Sequence, residues 1–257
     1  MTERIPSRPY AAITGIGGYI PPNKRSNTDL EQFCDTSDEW IIKRTGIKER
    51  RILEENLATS DMAVKAIQNL AEQYHKNLKD VDALIVATST PDMPMPATAN
   101  IILEKLGLSH VWAFDVNAAC SGFLYALDMA AALVETGRYK NVLVVGADNI
   151  STYVDLKDRS TNILFGDGAG VIWLEPSLEG GIMDAYLCSN GAGKEFLKIE
   201  AGGSLYPIDS NLPVNDNRFL KQDGKTVFRH AVQSMSDACT TVLQRNNLQI
   251  EDISWLI

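Results

Sequence analysis

Three runs of Val, Ile and Leu without polar alternation constrain this chain most: Asp82–Thr88 (DALIVAT), Asn141–Ala147 (NVLVVGA) and Ala169–Leu174. A strand with one face in water alternates apolar and polar residues, whereas an uninterrupted apolar strand must be covered on both faces. Helical patterns lie among these runs. Ser60–Tyr74 places Ala63, Ala66, Ile67, Leu70 and Ala71 on one face, Ala97–Leu106 stops at Gly107, and the strongly apolar Ser121–Thr136 stops at Gly137. Strands alternating with helices predict an α/β chain whose sheet lies between helical layers.

The remaining stretches fill in this plan. Ala11–Ile20 (AAITGIGGYI) reads as a buried strand, and its glycines resemble a dinucleotide fingerprint only superficially. They run into Pro21-Pro22-Asn23 rather than a helix start, so no seat for a pyrophosphate is expected. Short helical stretches follow from Thr28 to Arg44, and Ala113–Val116 reads as a short strand. Glu175–Gly181 is turn-rich and Ile182–Ser189 reads as a further strand. A Gly/Pro/Asn-rich irregular stretch then extends to about Gly224, before a helix over Thr226–Arg245.

A shift of 172 positions lays Asp80–Ile85 over Asp252–Ile257. It also lays the apolar face Ala63, Ala66, Ile67, Leu70, Ala71 over Met235, Ala238, Cys239, Val242, Leu243. The match is either a chance likeness of two helix–strand units or a duplicated architecture. On the second reading Ile257 falls inside a buried strand, and the chain is expected to be incomplete.

Composition excludes several classes. No stretch approaches the roughly 18 apolar residues of a membrane span, and Met1-Thr2-Glu3-Arg4 opens without an apolar leader core, so a cytosolic protein is expected. The net charge is −9 with no long basic run, which argues against nucleic acid. Cys34, Cys120, Cys188 and Cys239 show no CxxC spacing, so neither a zinc site nor a disulfide framework is expected.

Cys120 stands apart because of its place. In Asp115–Phe123 (DVNAACSGF) it falls between a strand and the apolar helix, where free backbone N–H groups and the helix dipole favour an anionic sulfur. Ala118, Ala119, Ser121 and Gly122 leave room for an acyl group beside it. Such a cysteine is either a nucleophile for thioesters or a small residue at a packed helix start. A nucleophilic cysteine usually has a histidine partner, but His75, His110 and His230 carry no Asp or Asn at a telling spacing and read as surface residues.

Three segments together resemble one family. Thr36-Ser37-Asp38-Glu39-Trp40 with Arg44-Thr45-Gly46-Ile47 and Glu49-Arg50, then Asp115–Tyr125 (DVNAACSGFLY), then Phe165–Gly170 (FGDGAG) are similar to beta-ketoacyl-ACP synthase III, from about Ala11 to Ile257. The resemblance implies a thiolase fold, two similar βαβαβαββ halves stacked as five layers, in a homodimer. Residues 1–177 would be the first half, and residues 178–257 the start of the second. It also implies a reaction: a short acyl-CoA acylates Cys120, and malonyl-ACP decarboxylates and condenses with the acyl-enzyme to begin type II fatty-acid synthesis. No metal or cofactor is implied, since the CoA thioester is a substrate. The family's His and Asn, the His inside a Pro-His-Gln-Ala-Asn segment, would follow the strand matching Trp255-Leu256-Ile257, so these 257 residues alone are expected not to perform the condensation.

Binding roles carry over by resemblance. Trp40 matches a tryptophan that stacks on the CoA adenine, and Arg159 an arginine on its other face. Thr36 and Arg44 match groups near the nucleotide, and Gly224 and Phe228 match residues along the pantetheine tunnel. Phe165 matches the acyl-pocket lining, and Met95 a position that closes the pocket across the dimer and varies among members. Substrate length therefore stays open between a short primer and the longer or polyketide-type substrates of related condensing enzymes. Lys221, Lys225 and Arg229 form a modest basic cluster that either meets the acidic carrier protein or is a solvated face.

Overall fold

The computed structural model describes residues 9–207 and 216–257; the opening Met1–Arg4 and residues 208–215 of the irregular stretch lie outside the described residues. In chain order the elements are β1 (Tyr10–Tyr19), β2 (Asn23–Ser26), α1 (Asn27–Leu30), α2 (Asp38–Thr45), β3 (Glu49–Ile52), α3 (Thr59–Gln73), β4 (Ala83–Ala87), α4 (Thr98–Leu106), β5 (Trp112–Val116), α5 (Gly122–Glu135), β6 (Val142–Asn149), α6 (Arg159–Asn162), β7 (Asp167–Ser177), β8 (Leu197–Lys198), β9 (Lys221–Gln222) and α7 (Gly224–Arg245). The main sheet has the order β1-β7-β6-β4-β5. β4 pairs in parallel with β5 and β6, while β7 is antiparallel to both β6 and β1.

The apolar runs behave as their lack of alternation demands. Leu84 and Val86 of β4 join Leu143 and Val145 of β6 in one core with Ala66, Ile67 and Leu70 of α3 and Ile102 of α4. Ala83, Ile85, Val142 and Val144 join Ala126, Ala130 and Val134 of α5 in the other. Alternate residues go to opposite faces and both faces are dry. Each fully buried Leu or Ile contributes about 1.5–3 kcal/mol relative to exposure, so the two cores dominate the stability of this unit.

The glycine run of β1 lies inside the strand rather than in a turn. A Cβ on Gly17 would stand 2.6 Å from both Ala66 O and Leu70 Cβ, so glycine here lets α3 lie directly on β1. The residues that mimic a nucleotide fingerprint therefore serve packing. At the other end of the domain's helices, α4 stops where Gly107 takes a left-handed φ of 67°, which satisfies helix-end carbonyls without a Cβ penalty.

Three sequence expectations need correction. Ile182–Ser189 forms no strand: Ile182 N–H donates to Ala11 O at 2.8 Å, but no ladder continues from it. The turn-rich boundary starts later than expected, because Glu175, Pro176 and Ser177 still pair with Ala12, Ala11 and Tyr10. Trp255-Leu256-Ile257 is not a strand and is exposed. An apolar or extended pattern forms a strand only when a neighbour offers a ladder: Glu175–Ser177 has one in β1, whereas Ile182–Ser189 and Trp255–Ile257 have none among the described residues.

The 172-residue shift nevertheless holds in backbone detail. After α3, Tyr74 N–H bonds to Leu70 O and Lys76 N–H to Ala71 O; after α7, Asn246 N–H bonds to Val242 O and Leu248 N–H to Leu243 O. A short 3-10 turn follows each, at Leu78–Asp80 and Ile250–Asp252. The difference lies in burial. Ala63, Ala66, Ile67 and Leu70 are fully covered, whereas α7 has no buried residue and Met235 is 61% exposed.

Candidate active site

Cys120 sits at the carboxyl end of β5, in a 3-10 turn over Ala119–Ser121 that leads straight into α5. Cys120 is exposed and forms no disulfide. Ala119 adopts a left-handed φ of 47°, a conformation that costs a non-glycine residue about 1–3 kcal/mol and is found preferentially at functional sites. This kink turns the chain from the strand into the helix. Gly122 begins α5 with no Cβ, where one would already touch Ala87 Cβ at 3.4 Å.

A polar platform is built from residues at the ends of the neighbouring parallel strands β4, β5 and β6. Just beyond β4, Ser89 Oγ donates to Asn117 Oδ1 at 3.3 Å. Asp148, in β6, accepts from Ser89 N–H at 2.8 Å, Thr90 Oγ1 at 3.0 Å and Thr88 Oγ1 at 3.2 Å through one carboxylate oxygen. Thr90 Oγ1 in turn accepts Asn149 N–H at 2.8 Å. The sequence reading missed this group. Its signal was a polar Thr-Ser-Thr directly after one apolar strand and an acid at the end of another, where open α/β sheets place their sites.

Two acids in the family-like segments have structural partners. Asp115 accepts Thr98 N–H at 2.7 Å and Ala99 N–H at 2.8 Å, so it caps α4. Asp167 accepts Leu53 N–H, Ser151 N–H and Ser151 Oγ at 2.7–2.9 Å, joining the start of β7 to the end of β3. A Cβ on the preceding Gly166 would lie 2.9 Å from Arg51 O. These acids hold the frame of the site by filling orphan backbone donors.

A second group forms around Trp40 on α2. The Arg44 guanidinium lies 4.4 Å from the indole centroid and that of Arg159 4.7 Å, both within cation–π range. Arg159 Nη1 also donates to Asp35 O at 2.7 Å. Beside Asp35, Thr36 Oγ1 is buried without a hydrogen-bond partner among the described residues. A buried hydroxyl left unpaired costs about 1–3 kcal/mol, and such an orphan marks a place where a ligand can complete the bonding. The structure thus brings Trp40, Arg44 and Arg159 together and leaves Thr36 unsatisfied beside them.

The other expected residues are more scattered. Phe165 is half-buried between α6 and β7. Met95 is exposed in the β4–α4 connection, Gly224 opens α7, and Phe228 is exposed one turn further on. No hydrogen bond or ring contact joins them to Cys120 or Trp40 among the described residues. His75 and His110 are exposed, and His230 is exposed with its ring stacked on Phe196. Lys221 is not a free cation of the expected basic cluster: it pairs with Glu200 at 2.9 Å and donates to Asn217 at 2.8 Å. Hydrogen bonds from Lys198 and Lys221 pull the Glu200 carboxyl down to about 2. Lys225 and Arg229 stay exposed.

Comparison with known proteins decides the family. The family model described as 3-oxoacyl-[acyl-carrier-protein (ACP)] synthase III matches residues 114–191, the span that contains Cys120. The beta-ketoacyl-[acyl-carrier-protein] synthase III of Phocaeicola vulgatus is 46% identical over 249 residues, covering 96% of this chain and 75% of that protein. The chain belongs to the beta-ketoacyl-ACP synthase III family. Among solved structures, the 3-oxoacyl-[acyl-carrier-protein] synthase III of Aquifex aeolicus superposes with a TM-score of 0.84 at 38% identity, over 95% of this chain and 74% of that one. The priming beta-ketosynthase of the R1128 polyketide biosynthetic pathway gives 0.88 at 34% identity, over 98% and 75%. The mixed sheet between helices is thus the thiolase-like arrangement of this synthase III family.

Proposed function

We propose that this synthase III starts type II fatty-acid synthesis in the cytoplasm, with Cys120 as the residue that carries the acyl group. The Cys120 sulfur attacks the carbonyl of a short acyl-CoA, the tetrahedral oxyanion collapses, and the CoA thiolate leaves and takes up a proton. Malonyl-ACP then loses CO2, and the carbanion so formed attacks the Cys120 thioester and expels the sulfur. The product is a beta-ketoacyl-ACP. The single observation that carries this reading is the exposed Cys120 on a left-handed turn at the carboxyl end of parallel strands.

The Trp40 group fits the CoA nucleotide. A flat adenine entering beside the indole would replace its direct contact with Arg159 by a sandwich, and Thr36 Oγ1 would gain a partner. Phe165, Gly224 and Phe228 are assigned to the path from there to the sulfur. Lys225 and Arg229 are assigned to the acidic carrier protein. The partner for self-association is a second copy along β5, an edge strand whose Trp112 is 46% exposed. Residues 1–177 and the chain from 178 onward are assigned to two related halves, with the backbone repeat after α3 and α7 as support.

Incubation with radiolabelled acetyl-CoA, digestion and peptide mapping test the reading. Label is expected on the Cys120 peptide and lost in Cys120→Ala; label elsewhere, or none, would end it. A second reading, a polyketide-type priming synthase, is favoured by the R1128 likeness. Acylation rates across acyl-CoAs of rising length separate the two. A maximum well beyond short primers selects the second.

A further inference from the structure

Arg50 lies between the two elements assigned to nucleotide binding, and none of its hydrogen bonds among the described residues goes to the side chains of Trp40, Arg44 or Arg159. It is 3% exposed, and its hydrogen bonds go to neutral oxygens. Nε donates to Ile163 O at 3.0 Å, Nη2 donates to the same oxygen, and Nη1 donates to Asn27 Oδ1. Asn27, itself buried, passes the link on: its Nδ2 donates to Asp38 Oδ1 and to Ile47 O, each at 2.8 Å. Burial lowers the Arg50 pKa, with the charge of Arg25 adding to the effect, but a guanidinium stays protonated. A buried cation whose hydrogen bonds go to neutral oxygens, with the Asp38 carboxylate reached through an intervening amide, is costly, and a simple packing role would be filled more cheaply by an apolar side chain.

What the link joins gives the cost a purpose. Asp38 is the first residue of α2, which carries Trp40 and Arg44, and Ile163 follows α6, which begins with Arg159. Ile41 and Ile163 also share one apolar cluster, with Trp40 packed against it. We propose that Arg50 is a positioning residue that fixes the spacing of α2 against α6, and through it the width of the slot between Trp40 and Arg159. This rests on the reading of that slot as the CoA nucleotide site. A lysine cannot replace the fork, because two donors converge on Ile163 O while a third reaches Asn27 in a different direction.

Calorimetric titration of the full chain with coenzyme A tests this, using Arg50→Lys, Asp38→Ala and the double variant. Iodoacetamide labelling of Cys120, mapped by mass spectrometry, and the thermal midpoint are read in parallel. Arg50→Lys is expected to weaken CoA binding roughly tenfold, as misplacement of a binding group does, while the Cys120 labelling rate stays at the wild-type value. Asp38→Ala is expected to weaken binding less, and the double variant no more than Arg50→Lys alone, because both cut one link. Wild-type CoA affinity in Arg50→Lys, or additive losses in the double variant, overturns the proposal while leaving the CoA site intact. If Arg50→Lys does not fold, Asp38→Ala decides, and unchanged affinity there overturns it. A wild-type chain that does not bind CoA overturns the parent reading and this one together.

Discussion

His75 and Asn247 adopt the same left-handed backbone, with φ of 52° and 54°, one residue beyond the caps of α3 and α7. Each leads into a 3-10 turn three residues later, at Leu78 and Ile250. His and Asn are among the few non-glycine residues that enter this region readily. A β-branched side chain is not, so His75→Val is expected to lose roughly 1–2 kcal/mol of stability while His75→Gly stays close to the parent. Urea unfolding of the two variants checks this, and equal midpoints would show the kink to be unstrained.

Gly17 supplies a sharper case. Its Cβ would enter the backbone of α3 at 2.6 Å from Ala66 O, and backbone cannot rotate away. Gly17→Ala is expected to cost about 1–3 kcal/mol or more as overpacking, with α3 forced off β1. Gly18→Ala, whose Cβ would stand 3.4 Å from Ala169 O, is the milder control. Thermal midpoints should fall in that order.

Acid should weaken one defined contact. Burial raises the Glu175 carboxyl, but hydrogen bonds from Lys76 and Thr14 and the Lys76 charge outweigh it and leave its pKa below the usual 4.5. A lowered folded-state value means stability that is present above the unfolded value and lost as pH falls through the folded one. Lys76→Met should therefore be less stable than the parent at neutral pH. The gap should close as pH drops below about 4.5, the unfolded carboxylate range. Urea midpoints measured from pH 7 down to pH 3 give the result, and a gap independent of pH would assign it to lost packing on Trp173 instead.

Thr36 separates stability from binding. Its Oγ1 is buried without a partner, so Thr36→Val removes an unpaired hydroxyl and should leave stability unchanged or raise it by about 1 kcal/mol. The same change should weaken CoA binding, because the nucleotide is the expected partner. Denaturation and calorimetry on one variant read both. Reduced stability with unchanged affinity would place the Thr36 hydroxyl in the fold rather than in the site.

Part of the candidate site was legible from residue types in order. Cys120 between a strand and an apolar helix was readable as a candidate because it rests on neighbours a few positions away, while Trp40, Arg44 and Arg159 entered through resemblance. The Asp148–Ser89–Asn117 platform was not, since its members come from three strand ends and meet only when the parallel order β6-β4-β5 is set. Lys221 looked like a free cation until folding brought Glu200 beside it.

The sequence by itself determined the local units. Uninterrupted apolar strands demanded a sheet covered on both faces, helical periodicity marked the coats, and Gly107 and Gly137 marked where helices stop. Tertiary structure decided which extended segments became strands, since a strand exists only through a neighbour's hydrogen bonds: Ala83–Ala87 found two ladders and Ile182–Ser189 found none. It also decided that the glycines of β1 serve helix packing and that Arg159 meets Trp40. Those outcomes depend on distances between residues far apart in the chain, which periodicity and composition do not encode.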